Sequence, residues 1–241
     1  PAGGQVWGLA LMGMSVLSLL GVSAVGVGKI VSADDYQDEM TIGFQYLLEG
    51  DVENARDYFV SAKKMNPTQA APDLYLGHAY AAGGMEIAAA RHFRKAVAKP
   101  LDRPEAYNDY ANFLQREGRL REAITHYRKA LEVAPNNPDI LNNCGSAYYK
   151  LGRYDRAIQQ LEKAVQGAPH HSRAYTTLGL CYEETGELEK ARTAYEKALE
   201  VAPDVACTGV AEDRLSAELA KEEQELPALE PLAQATAEED E

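Results

Sequence analysis

From residue 36 to residue 205 apolar side chains return every three to four positions and are interrupted at even intervals by glycine and proline. That period predicts amphipathic α-helices of about a dozen residues, joined by tight turns and packed by one face each. The helices recur in register. Ala55, Ala89, Ala123, Ala157 and Ala191 are each 34 residues apart, and Ala62, Ala96, Ala130, Ala164 and Ala198 form a second column with the same spacing. Between them stand Phe59, Phe93, Tyr127, Leu161 and Tyr195, and upstream stand Gly43, Gly77, Ala111, Gly145 and Gly179. Tyr46, Tyr80, Leu114, Tyr148 and Tyr182 form a further column, as do Gly50, Gly84, Gly118, Gly152 and Gly186; Pro67, Pro135, Pro169 and Pro203 complete the set. A fixed period of this length is the mark of a solenoid, in which each unit buries its apolar face only against its neighbours.

The seven columns have direct physical readings. A small residue early in the first helix of a pair lets the second approach closely, a glycine after it allows the positive φ of a helix end, and proline closes the unit because it cannot continue a helix. The arrangement resembles the tetratricopeptide repeat family over 170 of the 241 residues. That resemblance implies an all-α superhelical solenoid of five helix-turn-helix units, 36–69, 70–103, 104–137, 138–171 and 172–205, within a repeat domain spanning 34–205. Two departures stand out. Pro100 falls one place early with Leu101 in the proline column, which predicts a distorted turn into Asp102, Arg103 and Pro104, and Glu39 occupies a place where a bulky apolar residue is common. Residues 206–225 place Val210, Ala211, Leu215 and Leu219 at helical spacing and predict a capping helix. The final 226–241, with two prolines and four closing acids, is expected to be disordered.

Residues 1–33 read differently. Val6 to Gly28 is a 23-residue run without charge, which as a helix covers about 34 Å and spans a hydrocarbon core of about 30 Å. Val31, Ser32 and Ala33 look like a signal-peptidase site, but the run exceeds an h-region and lacks a basic n-region, so an uncleaved single-pass anchor is expected. Ala10, Gly13, Leu17, Gly21, Ala24 and Gly28 share one stripe of that helix, a small-residue face suited to docking on another membrane subunit. Lys29 against Asp34 and Asp35 leaves the charge rule undecided on the side faced by the repeats; for a bacterial chain the periplasm is favoured.

Charge excludes one class of partner. The formal net charge of −13 lies mostly in residues 206–241, where eleven Asp and Glu face only Arg214 and Lys221, and no basic stretch exists to displace counterions from nucleic acid. Cys144, Cys181 and Cys207 show no CxxC spacing, so neither a disulfide framework nor a zinc site is expected, and the first two fall in helical apolar patterns as small hydrophobes. His170–His171 reads as a solvated turn and Glu183–Glu184 as groove surface. With no phosphate-binding loop, nucleophile elbow or metal motif, the sequence predicts no enzyme, no cofactor, no metal and no small-molecule substrate.

In the resembled family the first helices line a concave groove that commonly takes peptides. Carried over by register, this implies a partner-binding face of Met40, Phe44, Leu47, Leu48, Leu74, His78, Asn108, Asn112, Gln115, Arg116, Asn142, Ser146, Tyr149, Lys150, Arg173, Thr176, Leu180, Glu183 and Glu184. Its first end is apolar, its middle rich in amides able to pair with an extended backbone, and its far end mixed in charge. The Lys and Arg clamp of family members that bind acidic chaperone tails is missing. The expected function is a membrane-anchored scaffold for protein–protein interaction, an accessory subunit or assembly factor of a larger membrane complex. The alternative is a secretion or pilus assembly factor: YNDYANFL at 107–114 is similar to type IV pilus pilotins, although the lipidation cysteine usual in them is missing.

Overall fold

The computed structural model describes residues 33–99, 103–202 and 209–225. Those residues form eleven helices in chain order: α1 (Ala33–Leu48), α2 (Val52–Met65), α3 (Ala71–Ala82), α4 (Glu86–Val97), α5 (Pro104–Arg116), α6 (Leu120–Val133), α7 (Pro138–Lys150), α8 (Tyr154–Gly167), α9 (Ser172–Thr185), α10 (Leu188–Val201) and α11 (Gly209–Glu225). No strand occurs among the described residues. Odd and even helices pack as hairpins, each even helix also meets the next odd one, and α11 packs on α10 and α9.

Local chemistry sets the helix ends. Pro72, Pro104 and Pro138 open α3, α5 and α7, where their missing N–H costs nothing. Asp51 and Asn137 cap α2 and α7 by accepting from the amides of Asn54 and Ile140, each at 3.1 Å. Every first helix ends on a glycine in the left-handed region, Gly50, Gly84, Gly118, Gly152 and Gly186, with φ from 69° to 81°. The next amide reaches back five residues to the tyrosine or leucine of the column before it, as Arg119 N does to the Leu114 carbonyl at 2.9 Å and Glu187 N to Tyr182 at 2.8 Å. This closes the helix and turns the chain into the second one.

The two alanine columns are almost wholly buried, and Phe59, Phe93, Tyr127, Leu161 and Tyr195 between them are at most 2% exposed. These large side chains lie against the glycines of the partner helix: a Cβ added to Gly43, Gly77, Gly145 or Gly179 would stand 2.4 to 2.8 Å from the facing side chain. Small-against-large packing therefore sets the close approach within a hairpin. The core is not uniform along the array. One cluster runs from Ala89 through Ala211, and a smaller one holds Met40, Ala55, Phe59, Ala62, Leu76 and Ala79, with Tyr80 packed against both.

The seam between the first two units carries charge where other seams carry hydrocarbon. Asp73 on α3 is 1% exposed and accepts from Lys63 Nζ at 2.5 Å and Lys99 Nζ at 2.9 Å, while His92 Nδ1 stands 3.0 Å from the same carboxylate. In the other units the columns of Lys63 and Lys99 hold mainly Val, Leu and Met, and the column of Asp73 holds Tyr107, Leu141 and Tyr175 as well as Glu39. Burial would raise the Asp73 pKa, but hydrogen bonds from His92, Lys63 and Lys99 outweigh it and hold the carboxyl far below the ordinary range. Beside this seam α4 has 12 residues against 14 in α2, α6, α8 and α10. It starts in the common register and stops two residues short, as a closely following proline favours; residues 100–102 of the turn expected there lie outside the described residues.

One expectation is corrected. No helix among the described residues is long and apolar enough to cross a membrane, so a single-pass location with periplasmic repeats is not supported. The described helices span 12 to 17 residues. The span expected at 6–28, with its stripe of Ala10, Gly13, Leu17, Gly21, Ala24 and Gly28, lies outside the described residues, as do Cys207 and the acidic 226–241.

Candidate peptide-binding groove

The first helices lie side by side, α1 on α3, α5 on α7 and α7 on α9, with α3 joined to α5 through His78 and Asp109. A hydrogen-bonded ladder crosses this wall. His78 Nε2 stands 3.0 Å from Asp109 Oδ2, Asn108 Nδ2 donates to Asp109 Oδ1 at 3.4 Å, Asn143 Nδ2 donates to Asn108 Oδ1 at 3.2 Å, and Asn142 Nδ2 donates to Asn143 Oδ1 at 3.4 Å. The direction is not arbitrary. An ionised carboxylate only accepts, so Asp109 obliges Asn108 to present its N–H, which turns the Asn108 oxygen toward Asn143 and hands the same polarity on. The ladder ends on Asn142 Oδ1, buried with no hydrogen-bond partner. Such an orphan acceptor costs about 1 to 3 kcal/mol.

A second layer braces α5 from behind. The buried Tyr127 hydroxyl donates to Asn112 Oδ1 at 2.6 Å and lies 3.0 Å from Gln115 Oε1, and burial pushes the phenol pKa up, so it stays a donor. At the far end Glu183 accepts from Tyr195 at 2.8 Å and from Arg214 of α11 at 2.9 Å, which ties the last helix to the wall.

The residues expected to face a partner divide accordingly. Phe44, Leu48, Arg116, Lys150, Arg173 and Glu184 are exposed; Leu47, Leu74, His78, Asn108, Asn112, Gln115, Ser146, Tyr149, Leu180 and Glu183 are half-buried. Met40, Asn142 and Thr176 are buried, and the Thr176 hydroxyl donates to the Ser172 carbonyl at 3.2 Å. Asp109 and Asn143, which set the wall's polarity, were not singled out from the sequence, and Tyr127 was read there only as a core residue. Asp109 and Asn143 share a column with Thr41, Tyr75 and Thr177, and a run of polar residues in that column was the available signal.

The other candidate chemistry resolves into structure. His171 caps α9, its Nδ1 accepting from Ala174 N at 3.2 Å, with Nε2 at 3.2 Å from Asp139. Cys144 and Cys181 are buried, and desolvation pushes both thiols up to about 12. Among the described residues no three His, Cys, Asp or Glu side chains gather as metal ligands.

Comparisons with known proteins agree with this architecture. Two family models, both described as tetratricopeptide repeat, match residues 102–170 and 144–206. The described helices build an all-α solenoid of helical hairpins, and the two matches mark residues 102–206 as tetratricopeptide repeats. A crystal structure of MamA is similar at 27% identity and TM-score 0.61, covering 69% of this chain and 91% of that one. Pseudomonas aeruginosa PilF is similar in fold at 20% identity and TM-score 0.68, covering 79% and 87%. So is YrrB, described as a repeat protein with an unusual peptide-binding site, at 19% identity and TM-score 0.61, covering 75% and 93%. No curated protein matches the chain.

Proposed function

We propose that this protein is a non-catalytic scaffold that holds an extended segment of another polypeptide along the wall formed by α3, α5, α7 and α9, as an accessory subunit or assembly factor of a larger complex. The observation that carries the reading is the directional ladder from His78 to Asn142: a row of positioned amides beside exposed Arg116, Lys150 and Arg173 suits recognition of peptide backbone rather than chemistry on a small substrate. Pre-formed polar groups lower the ordering cost of binding, which is what the Tyr127 brace behind Asn112 and Gln115 supplies.

The test is positional. A photoreactive benzophenone side chain replaces Ser146 on the wall or Lys163 on the opposite helix of the same unit, in the full chain within its own cells. A polypeptide crosslinked from Ser146 and not from Lys163, whose capture falls in Asn112→Ala while the melting temperature holds, supports the reading. Equal crosslinking from both faces ends it.

A further inference from the structure

At the amino-terminal end of the wall α1 and α3 enclose a cavity of about 830 Å³, within the range of ligand sites. Its chemistry differs from the amide ladder beyond it. Phe44 is 43% exposed and meets Tyr75 edge-on, ring centres 5.7 Å apart at 71°. Tyr75 is in turn stacked at 5.4 Å on Phe59, which is fully buried, so the aromatic wall is backed by the core and cannot swing away. Met40, 9% exposed, and Tyr36 add further apolar surface, and Arg103, which leads into α5, supplies the cavity's cation.

Among the described residues no carboxylate lines this cavity, although the chain carries a net charge of −13. Asp73, two residues before Tyr75, is buried beneath Lys63, His92 and Lys99, which consume its lone pairs. Lys99 also donates to the Gln69 carbonyl at 2.5 Å and so pins the cavity rim. An exposed phenylalanine edge-on to a fixed tyrosine offers a third ring the tilted or offset contacts that aromatic groups prefer, and the guanidinium offers a fork to a carboxylate.

We propose that this cavity receives an aromatic side chain of the partner peptide, with an adjacent acidic side chain paired to Arg103. The proposal rests on the groove reading above and names the anchor by which such a peptide is selected. The polar ladder then reads backbone, and the cavity reads sequence.

The test uses the full chain and a set of end-capped, fluorescein-labelled decapeptides that differ at two neighbouring positions, Trp, Leu or Ser followed by Glu, Gln or Lys. Anisotropy titrations are expected to rank Trp–Glu tightest, about tenfold above Ser–Glu. Phe44→Ser removes the preference for Trp; Arg103→Gln removes the preference for Glu over Gln and keeps that for Trp. Phe44→Leu, which retains apolar bulk, separates loss of the ring from loss of folding, and melting curves accompany each variant. A flat ranking, no binding by any peptide, or preferences unchanged in both variants overturns the proposal. Asn112→Ala lowers all peptides alike if the groove reading holds. That loss with a flat ranking leaves the groove standing and removes the cavity, whereas an intact Trp–Glu preference with Asn112→Ala silent does the reverse. A benzophenone at Phe44 that crosslinks to residues 1–32 of the same chain, or to a second copy, also overturns it.

Discussion

The ring of Tyr195 lies against the backbone of Gly179 so closely that a Cβ on that glycine would stand 2.4 Å from Cε1 and 2.6 Å from Cδ1. Tyr195 is 2% exposed and donates to Glu183, so its ring is buried and its hydroxyl is held. Gly179→Ala would gain about 1 kcal/mol of helix propensity and lose more to overpacking, about 1 to 3 kcal/mol. Urea unfolding is expected to show net destabilisation. Gly186→Ala, in open space at φ 80°, is expected to cost about 1 kcal/mol through backbone strain alone.

Asp73 makes the first seam sensitive to acid. Its folded pKa lies below the ordinary aspartate value of about 3.9, so the stability it confers is present above that pH and is lost as pH falls through the folded value. Asp73→Leu alone leaves Lys63, His92 and Lys99 without their acceptor and is expected to cost about 2 to 4 kcal/mol, moderated because both lysines reach solvent. Adding Lys63→Val and Lys99→Val, the residues found in the same columns of neighbouring units, should restore most of the loss and flatten the acid limb. Denaturant titrations from about pH 7 down to about pH 2 measure both effects.

His126 works in the same direction at higher pH. Its ring lies 4.5 Å from Tyr110, centre to centre, and its Nδ1 is buried without a partner. Burial first, and then Lys129, depress its pKa, against a smaller opposing pull from Glu122. The folded state therefore binds the proton less well than the unfolded one, and stability declines as pH falls below the ordinary imidazole value of about 6.5. His126→Phe keeps an aromatic ring, removes the orphan nitrogen, and is expected to raise the melting temperature more at about pH 5 than at about pH 8.

Cys144 and Cys181 are held as neutral thiols at physiological pH by burial. Neither is expected to react with a water-soluble maleimide in the native chain, and both should react once urea unfolds the array; peptide mapping by mass spectrometry locates the label.

The 34-residue period made the hairpins, their turns and their packing legible, because each column answers to a local demand: Gly118 to a positive φ, Gly145 to the bulk of Leu161, Ala123 to a buried contact. The charged seam was less legible. Glu39 was visible as an oddity, yet Asp73 in the same column was not, since Lys63, His92 and Lys99 meet it only when three helices are stacked. The wall shows the same limit. Asn108, Asn112 and Asn142 were picked as amides able to serve a ligand, but the structure pairs Asn108 with Asp109 and Asn143, and Asn112 with Tyr127. A period gives the face on which a residue lies; it does not give the partner one unit away.

The Ala123, Ala157 and Ala191 spacings carry no insertion, and α5, α7 and α9 begin at residues 104, 138 and 172 in the same step. Excising or duplicating one interior block of that length would join surfaces that already know how to mate. The reach of the wall could thus lengthen or shorten by whole units in a single genetic event, with no new core to invent.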